Sequence, residues 1–201
     1  MRDEGADDDA AEVAAGPSQR APRVCVAPAV MPARAGAAAT LGGETAHYLA
    51  RVLRVREGSE LTLFDGAGRE TSVRVEGVTS DKRGATVRVC AVRDAGDGVR
   101  GDALRVCWLQ GIAKGDKLET VVREGTELGA HAFWPVYTQR SVPRPAGRGG
   151  ETDARTARWR AVAASAAAQC GRADVPEVEP PRPLEEALVR LPAWAALRIV
   201  P

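Results

Sequence analysis

Four short stretches of the chain gather the residue types that bind anions or nucleobases. The first is "HYLARVLR", residues 47–54. His47, Arg51 and Arg54 recur at spacings of four and three, which on a helix puts them on one side. Arginine forks match the oxygens of a phosphate, so that side is a candidate phosphate-contacting face. The same spacing equally suits a solvated basic face above an apolar one. The second stretch, "QGIAKGDKLE" (110–119), reads as strand, turn and helix start. It sets Lys114 and Lys117 near a helix N-terminus, whose free N–H groups attract anions. An ordinary turn capped by Asp116 is the alternative. The third, "YTQRSVPR" (137–144), follows a strand and offers Arg140 and Arg144 at the edge where open parallel sheets bind ligands. The fourth, "AAAQCGRADVP" (166–176), ends a nearly pure alanine helix. Gly171 suits a left-handed cap, Arg172 a helix C-terminus and Pro176 a stop. Gln169 is left over, and its amide can bond a base edge or a backbone group.

None of these stretches is a complete catalytic motif. The chain has no GxGxxG, Walker loop, HExxH or GxSxG. No carboxylate pair is spaced for acid–base work, so no catalytic base is assigned. The four cysteines, Cys25, Cys90, Cys107 and Cys170, are scattered, and only His47 and His131 accompany them, which argues against a zinc site. Reduced thiols of a cytoplasmic protein are the expectation. No apolar run is long enough for a membrane span.

The chain has 201 residues, of which 44% are hydrophobic and 27% charged, ordinary for a globular protein. Its net charge of +1 hides an asymmetry. Residues 1–20 hold six acids and two arginines, net −4, and the remaining body is therefore +5. That body permits a polyanionic partner without requiring one. Residues 1–20 read as a disordered acidic tail.

The elements that must position these groups fall into two sets. "RVCV" (23–26), "LTLF" (61–64), "TSVRV" (71–75) and "ATVRVCAV" (85–92) read as strands, with "DGAG" (65–68) as a hairpin turn. Between the first two, a helix buries Leu49, Val52, Leu53 and Val55 and is stopped by Gly58. Short strands with one short helix predict a small β-barrel. "RDAGDGVRGDA" (93–103) is the predicted linker. Beyond it the rhythm becomes strand "LRVCWL" (104–109), helix 116–128 with Leu118, Val121, Val122, Gly125 and Leu128 on one side, and strand "AFWPVY" (132–137). A helix over 153–169, an extended piece at Val178, a helix over 183–191 and a last strand "AALRIV" (195–200) follow. This alternation predicts a parallel sheet covered by helices.

Taken in order, the motifs resemble the RsmE family, bacterial small-subunit ribosomal RNA uridine-N3 methyltransferases of the SPOUT class. "PRVCV" is similar to the family's opening Arg-Phe-Phe/Tyr-Val, with Arg23 at the arginine and Val24 and Cys25 in place of the aromatics. "HYLARVLRVREGSELTLFDGAG" resembles its His-x-Leu-x-x-Val-Leu-Arg run, and "KGDKLETVVREGTELGA" its Lys-Gly-Asp-Arg/Lys-Met/Leu-Glu stretch. "TQRSV" resembles Thr-Glu-Arg-Ser-Val with Gln139 at the glutamate, and "AAQCGRADVPEV" resembles Glu-Gln-Ser/Cys-Gly-Arg-x-x-x-Pro with Ala168 at the glutamate. The resemblance runs from Pro22 to about Val200. It implies an α/β chain: a PUA-like RNA-binding barrel over 21–98, then a SPOUT methyltransferase domain over 99–201, dimeric in the family. It implies S-adenosylmethionine as methyl donor and ribosomal RNA of the small subunit as partner. Arg23, Arg51, Arg54 and Lys114 become candidates for phosphate contact, and Arg140, Arg172 and Gln169 for RNA or uracil contact, with Gln169 and Arg172 facing an RNA-side cleft. In the family the donor site is built from a Gly-Pro-Glu-Gly-Gly loop and a Leu-Arg-x-Glu-Thr-Ala segment, neither of which occurs here. The expectation is thus a C-terminally truncated member whose trefoil knot and cofactor-binding residues lie beyond Pro201. A non-catalytic RNA-binding module and a truncated gene product are the alternatives.

Overall fold

The computed structural model describes residues 21–32, 34–79, 84–94, 104–139, 141, 149–197 and 199. The acidic stretch 1–20, most of the linker (95–103), Arg140 and Arg144 lie outside the described residues.

The first five strands form one sheet. β1 (Arg23–Cys25), β2 (Ala38–Gly42), β3 (Glu60–Phe64), β4 (Arg69–Val78) and β5 (Gly84–Asp94) are arranged in the order β1-β3-β4-β5-β2. Only β1 and β3 run parallel, and the other pairs are antiparallel. The period-two pattern places Leu61, Leu63, Val73, Val75, Ala85, Val87 and Val89 inward, as alternation in a half-buried strand requires. Val24 of β1 and Leu41 of β2 reach the same core, so the two ends of the sheet curl around a single apolar interior. β2, "AATLG", went unsignalled in the sequence because alanine and glycine are poor strand formers. It is a strand because β5 offers it a five-residue antiparallel ladder from Ala38↔Arg88 to Gly42↔Gly84.

The helix between β2 and β3 differs from expectation. α1 (Gly43–His47) passes directly into a π-helical turn over Tyr48–Val52, where Leu53 N–H donates to the Tyr48 carbonyl at 3.1 Å. The helix ends at Leu53, not Gly58. Val55 N–H donates back to the Leu49 carbonyl at 3.0 Å, a Schellman-type closure. Its left-handed position, normally a glycine, is held by Arg54 at φ 52°. Leu49 fills the barrel core, with Leu53 and Val55 packed partly against it, whereas Val52 points to solvent.

The second sheet is all parallel. β6 (Cys107–Gly111) pairs with β7 (Ala132–Tyr137), which pairs with β8 (Glu177–Val178) and β9 (Arg182–Pro183). A proline inside a strand ordinarily argues against it. Here Pro135 falls between the two short ladders, after Phe133↔Val178 and before Val136↔Arg182, where no donor is needed on that side. α2 (Lys117–Glu127) and α3 (Gly149–Cys170) cover one face through Leu118, Val122, Phe133, Trp159 and Ala163, and α4 (Leu184–Val189) covers the other through Ala187. Leu128, expected on the apolar side of α2, is instead 83% exposed, because the helix has already ended beside Gly129 at φ 97°. The run 195–200 does not form the expected strand among its described residues. A strand exists only with a partner, and Ala195 N–H instead closes a turn onto the Pro192 carbonyl at 2.8 Å. No helix among the described residues is long and apolar enough to cross a membrane.

All four cysteines are free. Burial, reinforced by the charges of Glu177 and Glu179, pushes the Cys107 thiol up to about 11. Burial and the charge of Asp65 also raise Cys25. The thiolate is the nucleophile, so these two should react slowly. Under iodoacetamide at pH 7.5, Cys90 and Cys170, both exposed, are expected to label first. Mass-spectrometric mapping that finds Cys107 alkylated first would contradict this placement.

Candidate nucleic-acid interface

The predicted contact residues that the structure describes do not share one surface. His47, Arg51 and Arg54 are all exposed on the barrel, over the α1 turn and its cap. They do not form the simple helical face that the spacing suggested, because the π-turn widens the helix and the left-handed backbone redirects Arg54. Among the described residues neither Arg51 nor Arg54 makes an ion pair, whereas Arg69, Arg74 and Arg88 on the neighbouring strands are each bound to a carboxylate. An arginine held at positive φ carries about 1–2 kcal/mol of backbone strain.

Lys114 is exposed at the carboxyl edge of the second sheet. It follows Ile112, whose N–H donates to the Val136 carbonyl at 3.0 Å, and precedes Gly115 at φ 77°. Asp116 stands at the N-cap of α2 but makes no side-chain capping bond there. The first-turn amides of α2 therefore lack that partner, beside the exposed Lys114 and Lys117.

Arg172 lies at the opposite edge. Gly171, at φ 87°, and Arg172 both return their amides to the Ala167 carbonyl, at 3.1 and 3.0 Å, closing α3 as the sequence suggested. The guanidinium, however, serves a different helix. Its Nη1 donates to the carbonyls of Thr126 (2.7 Å) and Ala130 (2.9 Å) at the end of α2, and its Nη2 to Asp174 Oδ2 at 2.6 Å. The side chain is only 11% exposed. Ala130 leads into the start of β7 and Lys114 follows the end of β6, so about 17 Å of strand lies between the two groups. Arg172 and Lys114 therefore stand at opposite edges of this sheet, because a helix running antiparallel to its strands delivers its C-terminus to the far edge. Gln169 is exposed on the last turn of α3 at that same far edge.

Arg23 is likewise internal. Its Nη2 pairs with Glu70 and donates to the Arg172 carbonyl at 3.1 Å, and its guanidinium lies 5.2 Å from the Phe64 ring centre. Beside it the β3–β4 turn grips the chain leaving α3. Gly68 N–H donates to the Ala173 carbonyl (3.2 Å) and Val175 N–H to the Gly66 carbonyl (2.9 Å). The turn is fixed by Asp65, whose carboxylate accepts from the amides of Ala67 (2.8 Å) and Arg69 (3.1 Å) and from Arg69 Nε (2.7 Å). Burial alone would raise the Asp65 pKa, but the Ala67 amide and the Arg69 donors outweigh it and hold the carboxyl below its ordinary range. Arg23 and Arg172 thus join the two sheets, with Arg23 Nη2 and both terminal nitrogens of Arg172 engaged inside the protein. The spacing of two arginines 149 residues apart carries no local signal of that contact.

Two positions carried no signal of chemistry in the sequence. Tyr48 and Trp108 are the exposed aromatic rings among the described residues, 42% and 41% exposed. Trp108 stands on β6, the edge strand of its sheet.

The chain matches known families in two places. Residues 101–201 match the family model of an RNA methyltransferase domain, and residues 41–90 that of an RNA methyltransferase PUA domain. A Ribosomal RNA small subunit methyltransferase E of Bacillus subtilis (strain 168) is 32% identical over 152 residues, covering 76% of this chain and 57% of that protein. The protein of the same description from Mycobacterium tuberculosis (strain CDC 1551 / Oshkosh) is 32% identical over 155 residues, covering 72% and 52%. The chain spans about half the length of these curated relatives. The crystal structure of a Ribosomal RNA small subunit methyltransferase E from Neisseria gonorrhoeae bound to S-adenosyl methionine superposes with a TM-score of 0.74 at 29% identity, over 86% of this chain and 66% of that one. A second structure, from Legionella pneumophila in complex with the bound cofactor SAM, gives 0.74 at 25% identity, over 86% and 67%. β6 is the edge strand of its sheet among the described residues, and Trp108 Nε1 donates to Gln110 Oε1 at 3.3 Å.

Proposed function

The chain belongs to the RNA methyltransferase family, and from that premise we propose that its barrel grips small-subunit ribosomal RNA for methyl transfer from S-adenosylmethionine to a uridine N3. The observation that carries the RNA contact is the pair of exposed arginines Arg51, in the π-turn that follows α1, and Arg54, which closes it, neither of which makes an ion pair among the described residues. Such unpaired forks suit phosphate oxygens, whereas an arginine already bonded to a carboxylate does not. Lys114, at the open end of α2, supplies a second phosphate contact, and Arg140 and Gln169 remain assigned to RNA. In this reading the protein acts as a homodimer in the cytoplasm, where its ribosomal substrate is.

The test separates charge from backbone strain. Arg51→Ala is expected to weaken RNA binding and flatten the plot of log affinity against log salt by roughly one unit, the loss of one phosphate contact. Arg54→Gly should do the same while raising stability by about 1 kcal/mol, because glycine accepts positive φ without strain. Titrations of a small-subunit RNA fragment between 50 and 200 mM salt (roughly the range over which such contacts are resolved) give both slopes. Unchanged slopes in both variants would show that this face is merely solvated.

A further inference from the structure

We propose that Tyr48 is a stacking platform for an unpaired RNA base, so that the barrel selects single-stranded or looped RNA over duplex. The inference rests on the RNA reading above and adds what kind of RNA the face accepts. Three local features coincide at this point of the fold. The first is the π-turn over Tyr48–Val52, an irregularity that recurs at functional sites. The second is the left-handed Arg54 that closes it, a strained conformation in a residue that does not favour it. The third is exposure of apolar surface: Tyr48 is 42% and Val52 61% exposed, while Ala46 and Leu49 on the opposite side are fully buried.

Residues four apart are neighbours on a helical turn, so the Tyr48 ring and the Val52 side chain present one apolar step to solvent. Arg51 and Arg54 stand beside it without carboxylate partners among the described residues. A ring flanked by free cations is the arrangement that binds single strands. The base stacks on the π-face while the phosphates on either side meet the guanidinium groups. A duplex keeps its bases stacked on each other and offers this step only phosphates. A protein partner would be met by an apolar patch with opposite charges at its rim. Here the exposed Glu44 lies four residues before Tyr48, but Arg51 and Arg54 make no ion pair among the described residues, and these two free guanidinium groups favour the polyanion.

The experiment uses the full chain with two probes, a single-stranded RNA oligonucleotide of mixed sequence and the same sequence as a duplex. Tyr48→Ala is expected to weaken single-strand binding roughly 5- to 150-fold, the range of one lost base stack, with the salt slope unchanged. Tyr48→Phe should bind like the unsubstituted chain, and duplex binding should not move in either variant. Because Tyr48 is exposed, the thermal melts should coincide, which excludes unfolding as the cause. Single-strand affinity unchanged in Tyr48→Ala, or duplex and single strand weakened equally, overturns the stacking role. If Arg51→Ala still lowers the salt slope in that case, the RNA reading stands and only the stacking falls. If the unsubstituted chain binds neither RNA, both fall together.

Discussion

Replacing Arg172 by alanine is expected to destabilise the chain by about 3–5 kcal/mol, the usual range when one member of a buried, hydrogen-bonded charge pair is removed. The side chain donates to Thr126 and Ala130, the carbonyls that end α2 and lead into β7, and to Asp174, whose own side chain is 9% exposed. Its deletion strips two helix-end carbonyls of a donor and takes from Asp174 its counter-charge. The Arg172 carbonyl also receives Arg23, so the disturbance reaches the barrel. Arg172→Lys should recover only part of the loss, because an ammonium lacks the flat fork that spans three acceptors. Urea denaturation measures both. A loss under about 1 kcal/mol, the level typical of an exposed pair, would show that Arg172 is not a structural clamp. The same pair of variants separates clamp from ligand contact: a phosphate-binding arginine would lower the salt slope of RNA binding at unchanged stability.

Gly125 offers the second large effect, in a direction opposite to helix propensity. Glycine in an exposed helix interior is about 1 kcal/mol worse than alanine, so propensity alone makes Gly125→Ala stabilising. The structure reverses the sign. A Cβ at Gly125 would stand 2.7 Å from both Cε1 and Cζ of Phe133, a ring with no exposed surface at the centre of the helix–sheet layer. Overpacking of this kind costs about 1–3 kcal/mol, which offsets the propensity gain and leaves Gly125→Ala a net loss of up to about 2 kcal/mol. Gly125→Val, which adds two methyl groups at the same contact, should lose about 3 kcal/mol. Trimming the ring tests the cause: Phe133→Leu should be less harmful in the Gly125→Ala background than in the parent chain. Additive losses in that double-mutant cycle, or a stabilised Gly125→Ala, would refute the contact.

The difference between Gly125 and Gly171 illustrates what a sequence makes legible. Gly171 closes α3 through its own backbone and the Ala167 carbonyl, all within five residues, so its role could be read locally. Gly125 looks like a weak point in an amphipathic helix until the partner strand is in place. Other local signals behaved like Gly171. "AFWPVY" is β7, "DGAG" is the β3–β4 turn, and the buried positions of β3, β4 and β5 follow the alternation. Several of the differences concern features that need a partner: β2, created by β5, and the run 195–200, whose described residues join no strand. Among the contact residues, spacing correctly marked Arg51 and Arg54 as exposed but could not separate them from Arg23 and Arg172, which carry the same charge.

The sequence by itself determined the two kinds of sheet, the order of their elements and the family to which their motifs point. Hydrophobic period and turn residues are properties of a few neighbouring residues, so most of them are legible without the rest, although α1 ends at Leu53 and not at Gly58. Only the tertiary structure decided which cations are free. Arg172 reaches α2 across 46 residues, Arg23 reaches Glu70 across 47, and Arg51 and Arg54 reach no carboxylate among the described residues. A guanidinium's use is set by what lies within hydrogen-bond distance, and folding brings that partner from far along the chain.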